Sequence, residues 1–131
     1  HEWTYSIYPH KGDWTNGAFN EAEELNLPLD PAQCGPHKGT LPKSQSFLTL
    51  SGGNVQLTAF KQHEDREDSY TVRIFNPEAK TVTAKLTFAK PIKKAWLTNL
   101  NEERRKELKP TGKSLSIPLT KKKIATIELT I

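Results

Sequence analysis

From Gln45 onward apolar and polar residues alternate with few interruptions, and that two-residue period is the mark of strands that bury one face. KTVTAKLTF is the cleanest case. Val82, Ala84, Leu86 and Phe88 share one side while Thr81, Thr83, Lys85 and Thr87 share the other, as in an antiparallel strand with one wet face. SFLTL, then Ser51, Gly52 and Gly53, then NVQLTAFKQ with Val55, Leu57 and Ala59 on one face, predicts a hairpin. SYTVRIF presents Tyr70, Val72 and Ile74 together, and Asn76-Pro77 closes it with a turn. IKKAWLTNL, SLSIPL and KIATIELTI complete the set. NEERRKEL, charged through its middle, fits either an exposed strand or a short helical excursion.

The first part of the chain is patterned differently. Trp3, Tyr5 and Ile7 alternate with Glu2, Thr4 and Ser6, which predicts a strand under way from residue 1. Natural termini are more often loose tails, so this start is expected of a fragment cut from a longer polypeptide. In WTNGAFNEAEELN, Trp14, Ala18, Phe19, Ala22 and Leu25 recur at helical spacing behind a potential cap at Asp13. Gly17 weakens that helix, and Pro28 and Pro31 end it. Residues 28–43 hold four prolines and two glycines and predict a long surface connection, a kind that is usually functional, disordered or packed against another body. About seven to nine short strands without a βαβ alternation predict an all-β protein, an antiparallel β-sandwich with one short N-terminal helix, as a single domain over residues 1–131.

Composition narrows the function more than the fold. The net charge is +4, from 19 Lys and Arg against 15 Asp and Glu. Its clusters at Lys93-Lys94, Arg104-Arg105-Lys106 and Lys121-Lys122-Lys123 are scattered beside strands. Lysines so placed solvate outer faces and blunt sheet edges, so no nucleic-acid partner is expected. No apolar run approaches the roughly 20 residues of a membrane span, and no membrane partner is expected either. Cys34 is the single cysteine and has no internal disulfide partner, which points to a cytoplasmic home.

Candidate chemistry is sparse. His1, His10, His37 and His63 are far apart and form no short pair of the kind that seeds a zinc site, so no metal is expected in this chain. Glu64-Asp65 and Glu67-Asp68 invite comparison with glycosidases, whose two carboxyl groups lie about 5–9 Å apart across the bond they cut. Adjacent residues of a strand face opposite sides, so neither pair flanks one sugar readily. Ser51, Ser69 and Cys34 stand in turn or loop contexts without a nucleophile's surroundings, and no catalytic residue is assigned. Asp65 and Arg73 are expected to pair as ions across a hairpin. Trp3, Tyr5 and Trp14 sit at strand and helix periodicities, which predicts that they fill a core or an interdomain interface. Trp96 is expected on the face opposite Ala95 and Leu97. Aromatic rings can also serve as platforms for sugar faces; His10, Trp14 and Trp96 are the candidates for facing a carbohydrate.

The ordered series HEWTYSIYPHKGDW, LNLPL, LPKSQSFLTLSGGNVQLTAFKQHEDREDSYTVRIFNPE, KKAWLTNLNEE and IATIELTI resembles the C-terminal β-domain of glycoside hydrolase family 38 α-mannosidases over nearly the whole chain. The resemblance implies a parent enzyme that removes terminal α-linked mannose with retention, using a zinc ion and an aspartate nucleophile in an N-terminal catalytic region. No residue here matches the motifs for those ligands or that nucleophile. The resemblance also implies that the catalytic and helical domains of the same chain are this domain's partners, with a mannose-containing glycan reached only through the intact enzyme. The domain itself would then serve interdomain packing and the shaping of the substrate cleft. The alternative is a stand-alone, non-catalytic sandwich that binds carbohydrate or mediates adhesion.

Overall fold

The computed structural model describes residues 2–131; His1 lies outside the described residues, and with it the expectation of an ordered residue 1. The chain divides into two compact units, the first ending at Gln45 and the second spanning Ser46–Ile131.

In the first unit the predicted opening strand is absent. Residues 2–10 have no regular structure, and Trp3, Tyr5 and Ile7 are 84%, 87% and 86% exposed. A strand must pair its N–H and C=O groups with a neighbouring strand, and among the described residues the first unit has no strand to offer an edge. Trp3, Tyr5 and Trp14 therefore fill no core within the first unit, Trp14 being half-exposed. The predicted helix exists but starts late, as α1, Ala18–Asn26. Asp13 does not cap it, because its carboxylate accepts the Thr15 N–H at 2.9 Å in a local turn. Gly17, with φ 90°, is the N-cap, a left-handed conformation that glycine adopts without strain. The residue expected to weaken the helix thus sets its start. Residues 28–43 run without helix or strand, as predicted.

The second unit is the sandwich. Its strands are β1 (Leu48–Ser51), β2 (Gln56–Gln62), β3 (Tyr70–Phe75), β4 (Val82–Phe88), β5 (Lys94–Thr98), β6 (Arg104–Leu108), β7 (Ser114–Leu119) and β8 (Ile124–Thr130). They form a three-stranded sheet in the order β1-β4-β7 and a five-stranded sheet in the order β2-β3-β8-β5-β6, with every pairing antiparallel. The second half of NEERRKEL resolves as the edge strand β6, with Arg104 to Glu107 exposed, while Glu102 in the turn before it is buried. Between the sheets lies an apolar core. Ala84, Leu86, Phe88, Leu115, Ile117 and Leu119 come from the small sheet, and Val72, Ile74, Ala95, Ile127 and Leu129 from the large one.

The predicted hairpin of SFLTL with NVQLTAFKQ does not form. β1 pairs with β4 and β2 with β3, so Ser51-Gly52-Gly53 carries the chain from one sheet to the other. Gly52 has φ 99°, and a Cβ there would lie 2.0 Å from the Thr83 carbonyl oxygen; only glycine fits a crossing this close. A register shift between Leu57 and Ala59 breaks the expected single face of Val55, Leu57 and Ala59: Leu57 pairs with the core residue Ile74, whereas Ala59 pairs with the outward-facing Arg73. Asn76 closes the β3–β4 turn as read from sequence. Fully buried, its amide donates to the carbonyls of Lys80 and Thr120, both at 2.9 Å, and its Oδ1 accepts the Glu78 N–H at 2.9 Å. One side chain thereby ties the β3–β4 turn to the end of β7.

Candidate functional site

In most two-layer sandwiches the outer face of a sheet is wet; here the centre of the five-stranded sheet is covered on both sides. Along β8 the residues from Ala125 to Leu129 are all buried. Ile127 and Leu129 face the core, while Thr126 and Glu128 face outward, in register with Arg73 and Thr71 of β3 and with Thr98 and Trp96 of β5. An isolated buried carboxylate would be very costly, so Glu128, at 0% exposure, needs charged partners. It has two. Arg66 donates through Nε to Oε1 at 2.8 Å and through Nη2 to Oε2 at 2.9 Å. Arg104 donates through Nε to Oε2 at 2.8 Å and through Nη2 to Oε1 at 2.6 Å. Each oxygen therefore accepts from both guanidinium groups, the strong two-pronged geometry of arginine with carboxylate.

The loops on either side supply the rest of the cluster. Arg66 and His63 come from the turn between β2 and β3, and Glu102 from the turn between β5 and β6. His63, 4% exposed, places Nε2 3.7 Å from Glu102 and 3.9 Å from Glu128. Lys61 reaches Glu102 at 2.9 Å and Glu64 at 2.6 Å. The Arg104 guanidinium also lies over the Trp96 ring, 3.6 Å from its centroid, so a cation–π contact is built onto the ion pair. Burial pushes the Glu128 carboxyl up, but the hydrogen bonds from Arg104 and Arg66 outweigh it and hold it down at about 2. Glu102 is also raised by burial and, on balance, lowered, chiefly by Lys61. A carboxylate sealed from solvent and kept ionised by two arginines is a poor proton donor and a screened nucleophile. What the cluster does chemically is clamp: it binds the 63–69 and 99–103 turns and the edge strand β6 to the sheet centre.

The sequence-predicted site residues are divided between the two units. His10 is exposed and stacks on Tyr8, with ring centroids 5.5 Å apart. Trp14 makes an edge contact with Phe19 at 5.4 Å. Trp96, on β5, does face away from Ala95 and Leu97, and Arg104 occupies one side of its indole. The Asp65–Arg73 pair does not form. Arg73 lies beside Ala59 and donates to Thr126 Oγ1 at 3.1 Å and to the Leu100 carbonyl at 3.3 Å, whereas Asp65 sits in the turn at the far end of β3. Sequence reasoning missed Glu128, Arg66, His63 and Glu102. A signal existed for the first: a lone carboxylate in IATIELTI, the strand whose neighbours on both faces are buried, demands a cationic partner. Nothing local to Arg66 or Arg104 named them as that partner.

Among the described residues no group of three or more His, Cys, Asp or Glu side chains could hold a metal ion. Cys34 and His37 approach to 3.4 Å in the first unit, and His63 is enclosed by Arg66, Glu102 and Glu128; neither arrangement has the donor set of a zinc centre.

The family described as Glycosyl hydrolases family 38 C-terminal beta sandwich domain matches residues 54–127, all within the sandwich, from the start of β2 to the middle of β8. Alpha-mannosidase 2C1 of Mus musculus is 31% identical over 116 residues, covering 86% of this chain and 10% of the relative. The chain thus spans about a tenth of the length of that relative. No solved structure matches it. With the two antiparallel sheets in place and the match lying along their strands, the chain belongs to glycosyl hydrolase family 38, as a C-terminal β-sandwich domain.

Proposed function

We propose that the chain works as one domain of a longer α-mannosidase that releases terminal α-linked mannose, packing against the catalytic and helical domains of its own polypeptide and shaping the substrate cleft from outside. The observation that carries this reading is the continuous relationship to a mannosidase about ten times longer, over 86% of the chain. The Glu128 cluster supports it from the side of chemistry, since its carboxylate is locked in ion pairs and the clamp stiffens a wall. In this reading the zinc and the nucleophile belong to the remainder of the polypeptide, and the carbohydrate-facing roles of His10, Trp14 and Trp96 are exercised only in the intact enzyme. A cytoplasmic location belongs to the proposal too, supported by the unpaired, exposed Cys34.

The test is the intact mass of the native protein, captured with an antibody against this domain. The expected product is several times the 14.8 kDa of the chain, contains zinc, releases mannose from an aryl α-mannoside and fractionates with cytosol. A native product near 14.8 kDa would overturn the reading.

A further inference from the structure

The two sheets of the sandwich differ in width. β7 is an edge of the three-stranded sheet, and β5 and β6 lie at one end of the five-stranded one. A cleft of about 640 Å³ opens between the layers, with Leu97, Leu108, Ile117, Leu119 and Ile124 in its walls. Leu97 and Leu108 are only partly buried and Ile124 is 47% exposed, so apolar area is left for another body to cover.

The backbone decides how it can be covered. The Phe88 N–H donates to the Lys113 carbonyl, and Ser114 pairs with Thr87. In an antiparallel ladder successive residues turn their N–H and C=O alternately to one side and the other, so Leu115, Ile117 and Leu119 address β4 while Ser116 and Pro118 address the free edge. Ser114 on that edge is already bonded to Thr111 in both directions. Pro118 has no N–H. A further strand would find hardly a ladder to join, which is how proteins blunt an edge. The cleft therefore takes side chains and does not extend the sheet.

Charge identifies what kind. Lys106, in register with Leu97 and so on the inner face of β6, lies in the lining with Lys122 and Lys123. Lys122 is engaged with the Pro77 carbonyl. Among the described residues no Asp or Glu lines the cleft. An apolar floor with a basic rim is complementary to apolar side chains flanked by carboxylates.

We propose that this cleft seats an acidic amphipathic segment contributed by the part of the longer polypeptide that lies outside these 131 residues, its apolar side chains entering between the sheets and its carboxylates meeting Lys106 and Lys123. The inference rests on the reading of the chain as one domain of a longer enzyme, and it names the surface through which that domain is held.

The experiment places the photo-cross-linker p-benzoylphenylalanine in the full-length protein at Ile124, separately at Lys106, and at Lys85 on the outer face of β4 as a control. The exposed Lys106 position guards against a folding defect at Ile124. After irradiation, both cleft positions are expected to join the same Asp- or Glu-bearing peptide of the same polypeptide, outside these 131 residues, with Lys85 silent. Combining Lys106→Glu with Lys123→Glu is expected to lower the Ile124 yield severalfold. Cross-links between two copies, cross-links confined to these 131 residues, or a yield no higher than from Lys85 would overturn the inference. In those cases a long native product that releases mannose leaves the mannosidase reading standing; a native product of 14.8 kDa overturns both.

Discussion

Residues 2–45 and Ser46–Ile131 carry similar apolar alternation at their starts, yet one yields no strand and the other yields eight. Ile7 is 86% exposed and Ile127 is 0% exposed, although each stands in an alternating run with an aromatic or aliphatic neighbour two residues away. The difference is the availability of a partner. Alternation specifies which side chains share a face, but a strand exists only where its backbone groups find a ladder and its apolar face finds a second layer. The sandwich supplies both, and it can even bury a carboxylate on the outer side of a sheet because two arginines reach it.

The strongest way to break that contrast is at Glu128. Replacing it with Ala leaves Arg66 and Arg104 converging on an empty site; because both guanidinium groups are more than a third exposed and stay partly hydrated, the cost is expected at the lower end of that for a broken buried pair, about 3 kcal/mol. A large fall in the denaturant midpoint of the sandwich is expected; an unchanged midpoint would show that the clamp contributes nothing. Ile127→Ala removes methylenes from the core and is expected to cost about 2–5 kcal/mol by the same measurement. Gly52→Ala tests the crossing between sheets. With a Cβ directed at the Thr83 carbonyl oxygen and a φ of 99°, it is expected to destabilise by about 1–3 kcal/mol.

Acid sharpens the comparison within the sandwich. The folded-state pKa of Glu128 lies at about 2, below the ordinary 4.5, so between those values the unfolded chain binds the extra proton. Stability from this group is complete above about 4.5 and is lost as the pH falls toward 2. Glu102 and Glu78 are lowered as well and act in the same direction. Unfolding followed from pH 7 down to pH 2 should show this loss, and Glu128→Gln, measured against its own neutral-pH stability, should show a shallower one. The smallest effect belongs to the first unit: Ile7→Ala is expected to stay within about 0.5 kcal/mol. A larger loss in this chain would mean that residues 2–10 pack where the structure leaves them exposed.

Much of the sandwich was legible along the chain. KTVTAKLTF became β4 with Ala84, Leu86 and Phe88 buried and Thr83 and Lys85 exposed, because the residue pattern of a one-sided strand is local. Turns at Asn76-Pro77, the unstructured 28–43 stretch and the outward face of Trp96 could be read for the same reason. The cluster could not. Its hydrogen-bonded partners Arg66 and Glu128 are 62 residues apart, and Arg104 and Glu128 are 24 apart, and only the pairing of β3, β8, β5 and β6 brings them onto one face.

The sequence by itself determined which segments can be strands, which of their residues share a face, where the chain turns, and, through its resemblance, the family to which it belongs. Tertiary structure decided which sheet each strand joins: the Ser51-Gly52-Gly53 signal is the same for a hairpin and for a crossing between layers, and only the burial of β1 against one partner and β2 against another separates them. It also decided that Gly17 starts α1, that Arg66 and Arg104 clamp Glu128 while Arg73 turns to Thr126, and that residues of β5, β6, β7 and β8 come together around a basic, apolar cleft. The physical reason is common to all of these. Periodicity is a property of neighbours along the chain, whereas pairing, ion-pair geometry and open edges are set by residues far apart in sequence whose meeting depends on the closure of the whole sandwich.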